Sequence, residues 1–122
     1  MTRAGMFALA GVCFLTLTIV HAPGVLAASE GQADLDKATE LQVTAQSIGD
    51  LEKVAALCES ALKKGLDEAN QAFAKQLLSS TLYQHAAQLC GPIFDQTPPN
   101  PRWPLLRQFA LKDLGHAVEV NP

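Results

Sequence analysis

Apolar residues between Asp34 and the C-terminus recur at three- and four-residue steps, the spacing that puts side chains on one face of a helix. The pattern predicts an all-α fold of about four helices, arranged as two antiparallel helical hairpins. The first helix is predicted over 34–48 and the second over 50–64, with Gly49 and Gly65 as their respective stops. The third is predicted to start after Asp67 and to end or kink at Gly91-Pro92, and the fourth opens at Arg102 or Trp103.

Start and stop residues sharpen these boundaries. Asp50 and Asp67 are predicted N-caps, because a carboxylate there accepts bonds from the free amides of the first turn. Residues 95–101 carry three prolines in four positions and are predicted to form an extended, proline-rich insert. The predicted buried stripe of the fourth helix is Leu105, Leu106, Phe109, Ala110, Leu114, Ala117 and Val118.

The first 27 residues have a different pattern. Arg3 is followed by an uncharged apolar run over 6–20, a Pro-Gly break and the small-x-small sequence Val25-Leu26-Ala27. This order is typical of a secretory signal peptide, and the run is shorter than the roughly 20 residues of a membrane span. We expect cleavage after Ala27 or Ala28 and export to a periplasm or the outside; the alternative is an uncleaved anchor. Residues 28–33 are predicted to be a flexible lead-in.

Charge excludes one class of partner. The chain has a net charge of −3, and every charged residue except Arg3 follows the leader. An acidic chain with scattered lysines lacks the basic face that nucleic acid requires. After the leader, no segment is long and apolar enough to insert stably into a membrane.

A repeated spacing suggests a family. Ala110, Leu114 and Ala117 are separated by four and three residues, Pro122 follows, and the second helix repeats the spacing in Val54, Cys58 and Ala61. This arrangement resembles the second helix of a tetratricopeptide repeat (TPR). The resemblance implies a repeat over 34–66 and an enlarged one over 67–122.

The resemblance also implies a function. Stacked helical hairpins leave a groove lined by their first helices, and such grooves bind peptide segments or helices of other proteins. The expected role is an exported protein-interaction scaffold without enzymatic activity, with a protein or peptide as partner and without cofactor. The candidate groove contacts are Gln42, Thr44, Gln71, Lys75 and Gln84.

Residues that could carry chemistry are few. Cys58 and Cys90 follow the leader, and an even pair in an exported chain suggests a disulfide, although Cys58 also fits a small core position. The spacing of His85, Cys90 and His116 matches no compact metal-ligand set, so no metal site is expected. Asp95 and Asp113 need no catalytic role.

The sequence leaves two alternatives open. The chain can be the N-terminal part of a longer exported protein, with further activity in other domains. It can also be a small periplasmic four-helix bundle with an enzymatic or metal-binding role.

Overall fold

The computed structural model describes residues 29–98 and 100–122, so the predicted signal peptide lies outside the described residues. Four helices occur in this part of the chain, and it contains no strand, which confirms the all-α prediction. They are α1 (Ser29–Thr44), α2 (Ile48–Lys64), α3 (Glu68–Phe94) and α4 (Trp103–Val120). None of the helices in these two ranges is both long and apolar enough to cross a bilayer.

The helices pack mainly in chain order. Helix α1 packs on α2, α2 on α3 and α3 on α4, whereas α1 meets α3 at only a few positions. Short connections between neighbours make successive helices antiparallel. Because α2 and α4 both pack on α3 without close backbone contact between them, a gap separates α2 from α4 along one face of α3.

Helix α1 begins earlier than predicted, because Ser29–Ala33 extend it rather than form a flexible lead-in. Gly31 is buried against the end of α2, where a Cβ atom would lie 2.7 Å from the carbonyl oxygen of Ala61 and closer still to that of Gly65. Only a glycine lets the two backbones approach so closely. Gly31 therefore fixes the register of the first hairpin.

The boundary between α1 and α2 also differs from the prediction. Helix α1 ends at Thr44, and Ser47 rather than Asp50 caps α2. The Ser47 hydroxyl accepts from the Asp50 amide (3.2 Å), and the Asp50 carboxylate accepts from the Ser47 amide (3.3 Å). This reciprocal capping box places Gly49 inside the first turn, so it is not the predicted helix stop.

The other predicted helix ends agree with the structure. Gly65 ends α2 with a φ of 97°, and its amide donates to the carbonyl of Ala61 (3.2 Å). Asp67 caps α3 by accepting from the Asn70 amide (2.8 Å). Pro92 lies inside α3, which continues to Phe94. Asn100 accepts from the amides of Arg102 and Trp103 and so leads the chain into α4.

The core contains few large side chains. Residues of all four helices meet around its centre, where the buried members are Ala38, Val54, Cys58, Leu78, Leu82 and Ala117. In α4 only Ala110 and Ala117 are buried, so the predicted stripe of that helix is wrong for its larger members. Leu105, Phe109, Leu114 and Val118 are exposed, and Leu106 is half-buried.

Replacing Gly31 with alanine should destabilise the protein. The added methyl group would collide with the carbonyl oxygens at the end of α2, and overpacking of this kind costs about 1–3 kcal/mol. Gly115→Ala is the control, since Gly115 lies in α4 with open space around its Cα and should gain up to about 1 kcal/mol. Urea unfolding measures both variants. A Gly31→Ala protein as stable as the parent would contradict this packing.

Removing the Asp34 carboxylate should make the free energy of unfolding depend less on pH at acidic pH. The Lys64 ammonium (2.8 Å) and then the Ser60 hydroxyl (2.6 Å) lower the pKa of Asp34. A carboxyl whose pKa falls on folding stabilises the fold above its unfolded pKa and loses that contribution as pH falls. Unfolding free energy should therefore decrease below about pH 4, the ordinary range of aspartate.

Asp34→Asn should lose less stability over this range than the parent, measured by urea unfolding at successive pH values. Some slope should remain, because bonds from Ser47 and Asn70 respectively also lower the pKa of Asp50 and Asp67. Asp36→Asn, an exposed substitution on the same helix, is the control and should follow the parent. An Asp34→Asn curve parallel to the parent's would show that the contact contributes nothing.

Candidate functional site

The gap between α2 and α4 forms a groove of about 510 Å³, and Leu82, His85 and Leu89 of α3 form its floor. Helix α4 rests on α3 through the small residue Ala110, which packs with Ala86 and Leu89. A helix that packs through alanine lies close to its neighbour and leaves its larger side chains at the flanks. One such flank of α4 faces the gap. We call this cavity the α2–α4 groove.

The lining of the α2–α4 groove is largely apolar. Leu105 and Phe109 extend from α4, and each is 47% exposed. The other aliphatic lining residues are Leu51, Ala55, Ala56, Leu82, Leu89 and Leu106. Exposed large apolar side chains grouped along a concave surface are typical of a site that binds another molecule.

One histidine lines the floor of the groove. His85 of α3 lies with Nδ1 2.7 Å from Asp113 Oδ2 of α4, so Nδ1 carries the proton that the carboxylate accepts. Its Nε2 faces Glu52 Oε1 of α2 at 3.5 Å, is itself buried and has no hydrogen-bond partner. The side chains of His85 and Asp113 are 13% and 17% exposed. An oriented imidazole with one unpartnered nitrogen therefore lies between two carboxylates.

Charges differ between the two rims of the groove. The α2 rim carries Glu52 and Glu59, and the α4 rim carries Arg102 and Lys112. At one end His116 of α4 approaches Glu59 across the gap, with 3.7 Å between Nδ1 and Oε1. This contact narrows that end of the groove, while Arg102 and Leu105 lie near the start of α4 at the other end.

The α2–α4 groove holds a carboxylate and an imidazole that contact one another. A carboxylate that orients an imidazole is one half of a nucleophilic site, whose other half is a hydroxyl or thiol within reach of the free nitrogen. The lining residues of the α2–α4 groove include no Ser, Thr, Cys or Tyr. In residues 29–98 and 100–122 there is also no group of three or more His, Cys, Asp or Glu side chains that could hold a metal ion.

The residues predicted as groove contacts are not gathered in one groove. Gln42 of α1 donates to Gln84 of α3 (3.1 Å) and accepts from the buried Thr81 hydroxyl (3.3 Å), so these amides join the two helices. Thr44 bonds its own helix at the carbonyl of Leu41, while Gln71 and Lys75 are exposed on α3. A shallower groove of about 460 Å³ does lie between α1 and α3. Its lining residues are Gln32, Leu35, Asp36, Thr39, Glu40, Val43, Asn70 and Phe73.

The residues of the repeated spacing have different environments in the two hairpins. Val54, Cys58 and Ala61 are fully buried, and Ala110 and Ala117 are buried on α3. Leu114 is 37% exposed, whereas Cys58 at the matching position has no exposed surface. Pro122 is exposed. Helices α2 and α4 therefore both bury the small residues of the repeated spacing, but only α2 buries the central residue.

The candidate disulfide does not form. Cys58 and Cys90 are free thiols that lie at different levels of the core. Cys58 of α2 packs beside Leu82 of α3. Cys90 lies eight residues beyond Leu82 in α3, which is roughly 12 Å from Leu82 at 1.5 Å per residue. A disulfide needs Cα atoms about 4.4–6.8 Å apart. Burial, with a smaller contribution from Glu59, raises the pKa of the Cys58 thiol to about 11, which makes it unreactive.

Sequence reasoning missed the main elements of the groove. His85 and Asp113 are 28 residues apart, and no local pattern links them. The available signal was the apolar excess of α4, where large residues occupy more than one face of an 18-residue helix. A helix with so wide an apolar surface cannot bury all of it against one neighbour.

Comparisons with protein-family models, with curated proteins and with solved structures found no match to this chain.

Proposed function

We propose that this chain is an exported, TPR-like interaction scaffold that binds a segment of another protein in the α2–α4 groove. The observation that carries the proposal is the exposure of Leu105 and Phe109 in a concave, mostly apolar channel between two helices. Burying a fully exposed leucine or phenylalanine contributes about 1.5–3 kcal/mol, and since each of these side chains is about half exposed, a ligand that covers both gains about that amount in total.

An amphipathic helix is the form of ligand that suits this channel. Helices α2 and α4 both pack antiparallel on α3, so the groove between them runs parallel to the helix axes. A helical ligand binds a groove of this kind through apolar residues at steps of three and four. The groove extends from Arg102 at the start of α4 to Lys112 and Asp113, ten to eleven residues later. At 1.5 Å per residue this distance is roughly 15 Å, or about three helical turns.

The resemblance to TPR proteins supports a role in binding other proteins. The geometry of this chain supports a different binding surface from the one that the resemblance implies. The family resemblance places ligands between the first helices, here α1 and α3. That surface is the shallower groove with polar groups such as Gln32, Asp36 and Asn70, and glutamines already join its helices. The α2–α4 groove offers more exposed apolar surface. We therefore assign binding to the second-helix side.

Substitution of Leu105 should weaken binding while a matched substitution should not. Leu105 and Leu111 lie on opposite flanks of α4 and are 47% and 53% exposed, but only Leu105 lines the groove. A displayed library of helical peptides is selected on the purified protein, and enriched peptides are measured by fluorescence anisotropy. Leu105→Gln should raise the Kd about three- to tenfold, and Leu111→Gln should leave it near the parent value.

Circular dichroism checks that both variants keep the parent's helix content. Enriched peptides should share apolar residues at helical steps. Equal effects of the two substitutions, or selection that enriches no peptide, would contradict the assignment of binding to the α2–α4 groove.

Export is the second part of the proposal and rests on the order of residues 1–27. Helix α1 begins at Ser29, so a cut after Ala27 or Ala28 leaves every described helix intact. Protein expressed with its leader in a secreting host should be recovered in the exported fraction, and N-terminal sequencing should start at Ala28 or Ser29. Recovery in the membrane fraction with an intact leader would identify an anchor instead.

A further inference from the structure

The polar groups in the α2–α4 groove point to the chemistry of its ligand. We infer that the groove selects a partner helix that places one basic side chain, a lysine or an arginine, between Glu52 and His85. This inference rests on the proposed function, because it names the partner that the proposed site would accept.

The first step is the state of His85. Asp113 Oδ2 lies 2.7 Å from Nδ1, and a carboxylate only accepts, so the proton of a neutral imidazole is on Nδ1. In that neutral ring Nε2 has a lone pair and is an acceptor. It has no hydrogen-bond partner and almost no exposed surface, and a buried polar atom in this condition costs free energy until a donor reaches it.

The second step is the neighbour of Nε2. Glu52 Oε1 lies 3.5 Å away, and it too is an acceptor. Two acceptors that face one another repel unless a donor lies between or beside them. The Glu52 side chain is 65% exposed, so it can move aside to admit a donor at little cost. A cation with several N–H groups satisfies both acceptors and neutralises the carboxylate.

The third step is the distribution of charge. Three carboxylates line the groove, namely Glu52, Glu59 and Asp113. Arg102 and Lys112 lie on the α4 rim, so a uniformly basic ligand would be repelled there. The arrangement suits a helix with a basic residue on the flank that faces α2 and apolar residues toward Leu105 and Phe109.

Three six-carbon probes separate the head group from the apolar tail. Hexylammonium, hexanol and hexanoate are titrated at pH 8 into isotopically labelled protein, and amide shifts are followed by NMR. Hexylammonium should shift the amides of Glu52, His85 and Asp113 and bind about three to ten times more tightly than hexanol. Hexanoate should bind more weakly than hexanol.

Variants test the role of Glu52. Glu52→Gln should remove most of the preference for hexylammonium while hexanol still binds. Glu119→Gln, at an exposed position of α4 outside the groove, should leave the preference unchanged. Hexanol that binds as well as hexylammonium, or a preference that survives Glu52→Gln, would overturn this inference and leave the proposed groove standing. If none of the three probes shifts groove amides, the proposed function fails as well.

Discussion

Close packing of helices through small residues is the constraint on which this structure depends. Gly31 lies against the end of α2, and every helix contributes buried small residues to its contacts. The buried alanines are Ala38, Ala61, Ala74, Ala86, Ala110 and Ala117. Small contact residues shorten the distance between helix axes, so the contact between two helices has little space for large side chains. The larger apolar residues must then find room in the centre of the core or remain at the flanks.

Helix α4 shows the consequence most clearly. It is buried through Ala110 and Ala117, and its large apolar residues lie on two flanks, with Leu105 and Phe109 on one and Leu111, Leu114 and Val118 on the other. The first flank faces α2 across a gap and forms the α2–α4 groove. The groove therefore follows from the way the core is packed. Its polar groups come from all three bordering helices, since Glu52, His85 and Asp113 lie on α2, α3 and α4.

Much of the fold could be read from local patterns. In residues 50–64 apolar residues recur at steps of three and four before Gly65, and the structure buries Leu51, Val54, Cys58 and Ala61 of that series. Local signals failed where two were in competition. Ser47 and Asp50 both suit an N-cap, and the reciprocal bonds of the capping box favour Ser47, which moves the start of α2. The local pattern predicts a flexible segment at Gly31, because the role of this residue is a contact with residues thirty or more positions away.

The candidate site was harder to predict for the same reason. Periodicity shows that a position is apolar, but it does not show whether a neighbour covers that position. Leu105 and Ala110 both fit the predicted stripe of α4, but α3 covers Ala110, whereas α2 lies too far from α4 to cover Leu105. Likewise, the spacing of His85 and Asp113 has no meaning until α3 and α4 pack.

The openness of the α2–α4 groove can be measured directly by solvent paramagnetic relaxation of leucine methyl groups. A soluble paramagnetic agent is added to methyl-labelled protein without ligand, and the relaxation of each methyl signal is compared. The structure predicts that Leu105 relaxes as strongly as Leu111 on the outer flank, while the buried Leu35 and Leu78 are protected. Protection of Leu105 to the level of Leu78 would show that α2 and α4 close over it and would contradict the open groove.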